Sequence, residues 1–272
     1  MKVLILTILL LGSFTGFAQT TGPENGALVI IGGGRTTPEI VAKFLELAGG
    51  KDVPFVVIPT AEPGEDWSAE YVARHFLTRL GARDVTVLHT RDRATADSAE
   101  FVAPLLRARA VWFDGGRQWR LADSYLHTRT EKELHAVLAR GGVIGGSSAG
   151  ATIQGSYMVR GAPEGNLIMM AKGHEEGLGF LKASAIDQHV NTRKREDDLA
   201  PVVDAHPEVL GIGLDESTAI IVQRQRCEVM GAGRAIFHDQ RRAPDADGRR
   251  WFALKSGEVL DLTTRQKIEP SR

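Results

Sequence analysis

Gly146-Ser147-Ser148-Ala149-Gly150 sets Ser148 between two glycines as G-x-S-x-G, the spacing of a nucleophile elbow. In that device a strained turn between a strand and a helix lifts the serine hydroxyl clear of the sheet. Small neighbours let the backbone pass close to itself. The N–H groups that open the following helix then aim at developing negative charge, with the helix dipole behind them. Such a serine serves acyl transfer, provided that a strand precedes it and a helix follows; without that context the same five residues are a tight turn.

A serine hydroxyl needs a base to take its proton and an acid to orient the base. His189, in Asp187-Gln188-His189, follows an apolar segment and stands just before Arg193 and Arg195. Glu216, in Asp215-Glu216, separates the apolar runs 209–214 and 219–222. These are the candidate base and acid. The rival order, serine then acid then histidine, would require His206 or His238 as the base. His206 precedes Pro207 as a turn residue, and His238 falls among expected edge hairpins, but spacing alone leaves both orders open. Gly115-Gly116, at the end of the apolar run 110–113, offers an oxyanion donor at Gly116 to act beside the Ala149 N–H.

Other chemistries find less support. His174 sits beside Glu175 and Glu176, and no H-E-x-x-H spacing suggests zinc. Cys227 is the only cysteine, which excludes an internal disulfide and a cysteine-rich metal site. Gly32-x-Gly34-x-x-Thr37 begins like a dinucleotide-binding turn but lacks the third glycine. The expected chemistry therefore calls for no metal and no organic cofactor.

The elements that must hold these residues follow from hydrophobic pattern. Apolar runs at 27–31, 53–59, 85–88, 110–113 and 143–145 read as strands, with helical patterns at 38–48, 71–80, 96–107, 121–125 and 130–138 between them. Alternating strands and helices give a mainly parallel sheet covered on both faces, which binds ligands beyond the carboxyl ends of its strands. Residues 22–26 read as a flexible lead-in. Residues 228–262 alternate apolar and polar between glycine turns and read as short antiparallel strands on the sheet edge.

A net charge of -1 over 272 residues gives no bulk attraction to nucleic acid or to a membrane surface. The first 18 residues carry one lysine, an apolar stretch too short to span a bilayer, and small residues at Gly16 and Ala18. This is the pattern of a cleavable export signal. It predicts a secreted or periplasmic protein with no stable membrane insertion and a single domain over 27–265.

Four blocks, Gly115-Gly116-x-Gln118, Ser148-Ala149-Gly150-Ala151, Asp187-Gln188-His189 and Gly211-Ile212-Gly213-Leu214-Asp215-Glu216-x-Thr218-Ala219, together resemble the cyanophycinase branch of the S51 serine peptidases. The resemblance implies a three-layer α/β sandwich, flavodoxin-like or class I glutamine-amidotransferase-like, and a homodimer. It implies Ser148 as nucleophile, His189 as base and Glu216 as orienting acid. It further implies a peptide or polypeptide substrate, cyanophycin, whose poly-aspartate backbone is cut to β-Asp-Arg dipeptides, with Gln118, Asp187, Gln188, Arg193 and Arg195 contacting it.

Two positions depart from the family pattern. Arg117 stands where an aspartate is usual, and Asp198 where a third arginine would follow. Arg117 reverses a charge beside the site, whereas Asp198 removes a bidentate carboxylate partner. Arg117 is thus a candidate replacement cation. The alternatives to cyanophycin cleavage are an aspartyl-dipeptidase-like activity on short Asp-containing peptides, an esterase, and a non-catalytic binding protein on the same fold.

Overall fold

The computed structural model describes residues 19–65, 67, 71, 74–79 and 81–269. The expected export signal lies outside these residues, as does part of the helix expected over 71–80.

Strands β1 (Ala27–Ile31), β2 (Pro54–Ile58), β3 (Asp84–Val87), β4 (Ala110–Phe113) and β5 (Val143–Ser147) pair in parallel in the order β1-β5-β4-β2-β3. Next, β6 (Gly155–Tyr157), β7 (Leu181–Asp187) and β8 (Leu210–Leu214) pair in parallel as the start of a second sheet. The chain then returns to the first sheet: β9 (Thr218–Gln223) runs antiparallel to β1, and β10 (Arg226–Gly231) antiparallel to β9. After that, β11 (Arg234–His238) and β12 (Trp251–Lys255) complete the second sheet, while β13 (Val259–Asp261) and β14 (Gln266–Ile268) extend the first. The fold is thus mixed α/β with a mainly parallel central region. The C-terminal strands do not all join one edge as the pattern predicted, because β11 leaves to pair with β8 and β12 adds outside β11.

At the centre of the first sheet both faces are buried, and β1 shows how. Leu28 and Ile30 face one cluster, which includes the helices Gln118–Tyr125 and Arg129–Ala139 and the β7 and β8 side chains Ile186, Ile212 and Leu214. Ala27, Val29 and Ile31 face the other, built with the helix Pro38–Ala48. Alternate residues of one strand therefore feed two cores, and burying each large apolar side chain contributes about 1.5–3 kcal/mol. The helix Pro38–Ala48 has proline in its first turn and ends where Gly49 adopts φ 96° and donates to Glu46 O.

Two expectations change locally. The helix expected over 96–107 is two, Arg93–Ala96 and Ala99–Arg107, because Asp92 and Ser98 each cap a separate N-terminus. The lead-in is strapped down: Thr20 is fully buried and its hydroxyl donates to Ala183 O at 3.0 Å, while the Gly22 N–H donates to Arg224 O at 2.9 Å.

Candidate active site

The carboxyl ends of β5, β7 and β8 converge, and each delivers one residue. At the end of β5, Ser148 takes φ 56° and ψ -113° and the helix Ala149–Thr152 follows at once. Such a left-handed conformation in a non-glycine residue costs on the order of 1–3 kcal/mol and persists only when its surroundings enforce it. Here the flanking glycines do so. A Cβ on Gly146 would lie 2.3 Å from Gly150 O, and one on Gly150 would lie 2.3 Å from Phe113 O. The helix therefore packs directly onto the strand ends, with room for no side chain at either position.

His189 follows β7, also left-handed at φ 58°, with its N–H donating to Gly32 O at 2.7 Å. Glu216 follows β8. His189 Nδ1 lies 2.6 Å from Glu216 Oε1, and His189 Nε2 lies 2.9 Å from Ser148 Oγ. An ionised carboxylate only accepts hydrogen bonds, so Nδ1 carries the proton and Nε2 is left bare toward the serine. Burial pushes the imidazole pKa below its ordinary value, against the opposing hydrogen bond that Nδ1 donates to Glu216 and helped by Arg193. The hydrogen bond from His189 in turn holds the Glu216 carboxyl below the usual range, with the Thr192 hydroxyl adding to it at 3.0 Å. Asn191 Oδ1 accepts from the Glu216 N–H at 2.9 Å and fixes the turn. At neutral pH the line is therefore hydroxyl, neutral imidazole, carboxylate.

The glycine turn after β1 belongs to this site. A Cβ on Gly33 would lie 2.3 Å from His189 Cε1, and one on Gly34 would lie 2.8 Å from Glu216 Oε2. These glycines make way for the imidazole and the carboxylate, which explains an incomplete dinucleotide motif by a different need. The second glycine turn also borders the serine, since a Cβ on Gly115 would lie 3.5 Å from Ser148 Cβ. Among the described residues, neither the Gly116 nor the Ala149 N–H donates to a backbone carbonyl.

The two other histidines lie elsewhere. His238 is buried in β11 opposite Gly211, at the amino end of β8 and so away from Glu216, and His206 packs its ring 4.5 Å from that of Tyr157. Asp215 turns away from the imidazole to accept the Arg234 N–H at 2.9 Å.

The expected substrate contacts divide. Gln118 is buried, and its amide donates to Val159 O at 2.8 Å and Arg160 O at 3.0 Å. Asp187 is fully buried against Arg160, Gln188 is buried, and Arg195 Nη1 donates to Gln188 O at 3.1 Å. In this structure all four are committed to bonds within the chain. Arg193 is exposed and acts on both His189 and Glu216, and Arg117 is half-buried with Nη2 donating to Ala162 O at 2.5 Å. Arg160, which compensates both Asp187 and Asp198, is absent from the sequence-based site. A lone arginine in an apolar stretch carries no motif to mark it.

Comparison with known proteins agrees over most of the chain. The sequence model of peptidase family S51 matches residues 28–230. A cyanophycinase of Geminocystis herdmanii is 31% identical over 225 residues, covering 79% of this chain and 81% of the relative. One from Synechococcus elongatus is 33% identical over 229 residues, covering 80% and 69%. Among solved structures, a peptidase from an acI-B1 Actinobacterium superposes with TM-score 0.67 at 24% identity, over 88% of this chain and 98% of that one. A putative peptidase E protein from Listeria monocytogenes gives TM-score 0.55 at 16% identity, over 76% and 99%. At those identities the two structures speak for the fold.

Proposed function

The chain belongs to peptidase family S51 as a cyanophycinase-like, serine-type peptidase, and from that premise we propose that Ser148, His189 and Glu216 are its catalytic triad. The observation that carries this reading is the unbroken line from Ser148 Oγ through the imidazole to Glu216, at 2.9 and 2.6 Å. His189 Nε2 takes the Ser148 proton as Oγ attacks the peptide carbonyl, and Glu216 stabilises the imidazolium that forms. The Gly116 and Ala149 N–H groups hold the tetrahedral oxyanion. The imidazolium gives its proton to the leaving amine as the C–N bond breaks, and an acyl-enzyme remains. His189 then draws a proton from water, hydroxide adds to the ester carbonyl, and Ser148 leaves with its proton restored.

The substrate we propose is cyanophycin-like, a poly-aspartate chain bearing β-linked arginine and released as β-Asp-Arg dipeptides. Two cations near the serine support such a substrate by their fit to the free α-carboxylates of its β-linked arginines: Arg193, on the turn that follows His189, and Arg117, next to Gly116. Gln118, Asp187, Gln188 and Arg195 would contribute by shaping this crevice from behind. Digestion of insoluble cyanophycin by the chain lacking residues 1–18, with mass detection of the released dipeptide, tests the proposal. Release of β-Asp-Arg is expected. Cleavage of short Asp-X peptides without any release from the polymer favours the aspartyl-dipeptidase reading, to which Asp198 in place of an arginine also points. Turnover of p-nitrophenyl esters without peptide cleavage would point to an esterase instead.

Export with removal of the first 18 residues, and assembly as a homodimer, complete the proposal. Both rest on the leader pattern and the family resemblance. N-terminal sequencing of the secreted chain and sedimentation of the purified protein would test them; an intact leader or a monomer would refute them.

A further inference from the structure

Arg160 lies outside the line from Ser148 to Glu216, and only 2% of its side chain is exposed. Its guanidinium grips Asp187 as a fork, Nε to Oδ1 and Nη2 to Oδ2, each at 2.8 Å. Nη2 also meets Asp198 Oδ2 at 2.5 Å, and Nη1 donates to Asn166 O at 2.8 Å. The Arg160 backbone is occupied as well. Its N–H donates to Met169 O at 3.0 Å and its carbonyl accepts the Gln118 amide at 3.0 Å. One residue thus joins the end of β7, the segment 159–170, and the start of the helix Gln118–Tyr125.

The gripped carboxylate is two residues from His189. Asp187 Oδ1 also accepts the Gln188 N–H at 2.9 Å, so the fork fixes the backbone that leads into the left-handed His189. Such a conformation holds only when neighbours over-determine it. The Gly32 carbonyl secures it on one side, and the Asp187 fork on the other. Without Arg160, a carboxylate with no solvent exposure would be left with Arg195 at 3.6 Å as its nearest cation.

We propose that Arg160 is a positioning residue: by clamping Asp187 it holds the Asp187-Gln188-His189 turn so that the imidazole meets Ser148, and it couples that turn to the segment 159–170. The inference rests on His189 being the base. The charged groups that act on the imidazole are Glu216, Arg193 and Arg195. An unbalanced Asp187 would add a negative charge and favour the imidazolium, so removal of Arg160 changes the pH profile as well as the rate.

The test compares the wild-type chain with Arg160→Met, Arg160→Lys and Arg160→Met/Asp187→Asn. Peptide kinetics are read across pH, beside the rate at which a fluorophosphonate labels Ser148. A misplacement of about 1 Å costs on the order of 10²-fold in rate. Arg160→Met, with a native circular-dichroism spectrum, is therefore expected to lose that much kcat with little change in KM, and its kcat/KM midpoint to move to higher pH. Lysine lacks the planar fork and is expected to restore only part of the loss. Adding Asp187→Asn removes the stranded charge and is expected to recover about tenfold, the direction expected when a buried unpaired charge is eliminated.

A folded Arg160→Met with wild-type kcat, labelling rate and pH midpoint would overturn the proposal, as would a double variant no better than the single. If Arg160→Met does not fold, Arg160→Lys decides: labelling at the wild-type rate overturns the positioning role, and slower labelling supports it. Failure of the wild-type chain to label at Ser148 would instead strike the triad reading, which keeps the two failures apart.

Discussion

The line Ser148–His189–Glu216 and the cluster Arg160–Asp187–Arg195–Asp198 meet at the end of β7, yet they are built oppositely. In the first, Glu216 keeps 30% of its side chain exposed and His189 keeps 12%. In the second, Asp187 is sealed at 0% and gripped by a guanidinium at 2%. A proton relay needs a group that can change charge, and an imidazole whose charged form is disfavoured by burial but still partly hydrated meets that need. In the second, both Asp187 oxygens accept from one guanidinium, and the pair is closed to water. On the proposed triad, the difference separates residues that would react from residues that hold, and loss of each should read out differently.

The largest effect belongs to the reacting line. Ser148→Ala removes the proposed nucleophile and should lower kcat by about 10⁶-fold, the order seen for triad serines, while the melting temperature stays within a few degrees. Glu216→Gln should come next, at about 10⁴-fold, because an amide no longer favours the tautomer that leaves Nε2 bare. Peptide hydrolysis measured beside thermal melting checks both. Retained activity in either variant breaks the assignment of the line, and a collapse in stability blurs the contrast.

For the sealed cluster the order reverses, with stability lost first. Asp187→Ala leaves the buried Arg160 with the partly exposed Asp198 as its counter-ion, and breaking a buried pair from one side costs about 3–5 kcal/mol. Urea unfolding should show that loss in the midpoint. If unfolding is unchanged while hydrolysis of acidic peptides falls through KM alone, Asp187 contacts substrate directly and the division between the two regions fails.

The pH profile sharpens the contrast at smaller amplitude. Burial lowers the His189 pKa, so the neutral, active imidazole persists to pH values below the ordinary histidine range of about 6.5. Activity should therefore be full at neutral pH and fall about tenfold per pH unit once pH drops below the depressed midpoint. A kcat/KM profile for a soluble Asp-Arg peptide gives that midpoint. A midpoint above the ordinary histidine value would mean that Glu216 outweighs burial.

Much of the Ser148–His189–Glu216 line of contacts was legible in the sequence because each member sits at a punctuated strand end. Gly146 and Gly150 flag the Ser148 turn, and Asp215-Glu216 interrupts two apolar runs. The structure adds what only the close approach of distant segments can show: Gly33 and Gly34 are small because His189 and Glu216 lie against them. In the second cluster Asp187 and Arg195 were legible only through the family pattern and Asp198 as a departure from it, whereas Arg160 and the pairing were hidden. Arg160 and Asp187 are distant in sequence, and nothing in the spacing says that Asp187 meets Arg160. The second sheet was missed for a related reason, since an apolar run does not reveal which edge it joins.

The smallest expected effect tests whether the sealed cluster acts as one unit. Asp198 keeps 41% of its side chain exposed, although it meets the same Nη2 that binds Asp187. Water can replace much of what Arg160 gives it, so Asp198→Asn should cost less than about 1 kcal/mol, in the range of exposed ion pairs. Arg160 would still be balanced by the Asp187 fork, and the asparagine oxygen can accept from the same guanidinium nitrogen. Unfolding of the single variants and of Asp187→Ala/Asp198→Asn completes the cycle. Additive losses place Asp198 at the rim of a core pair. A coupling above about 1 kcal/mol makes the two carboxylates and Arg160 a single triad, and the boundary between holding and exposed residues then moves outward to include Asp198.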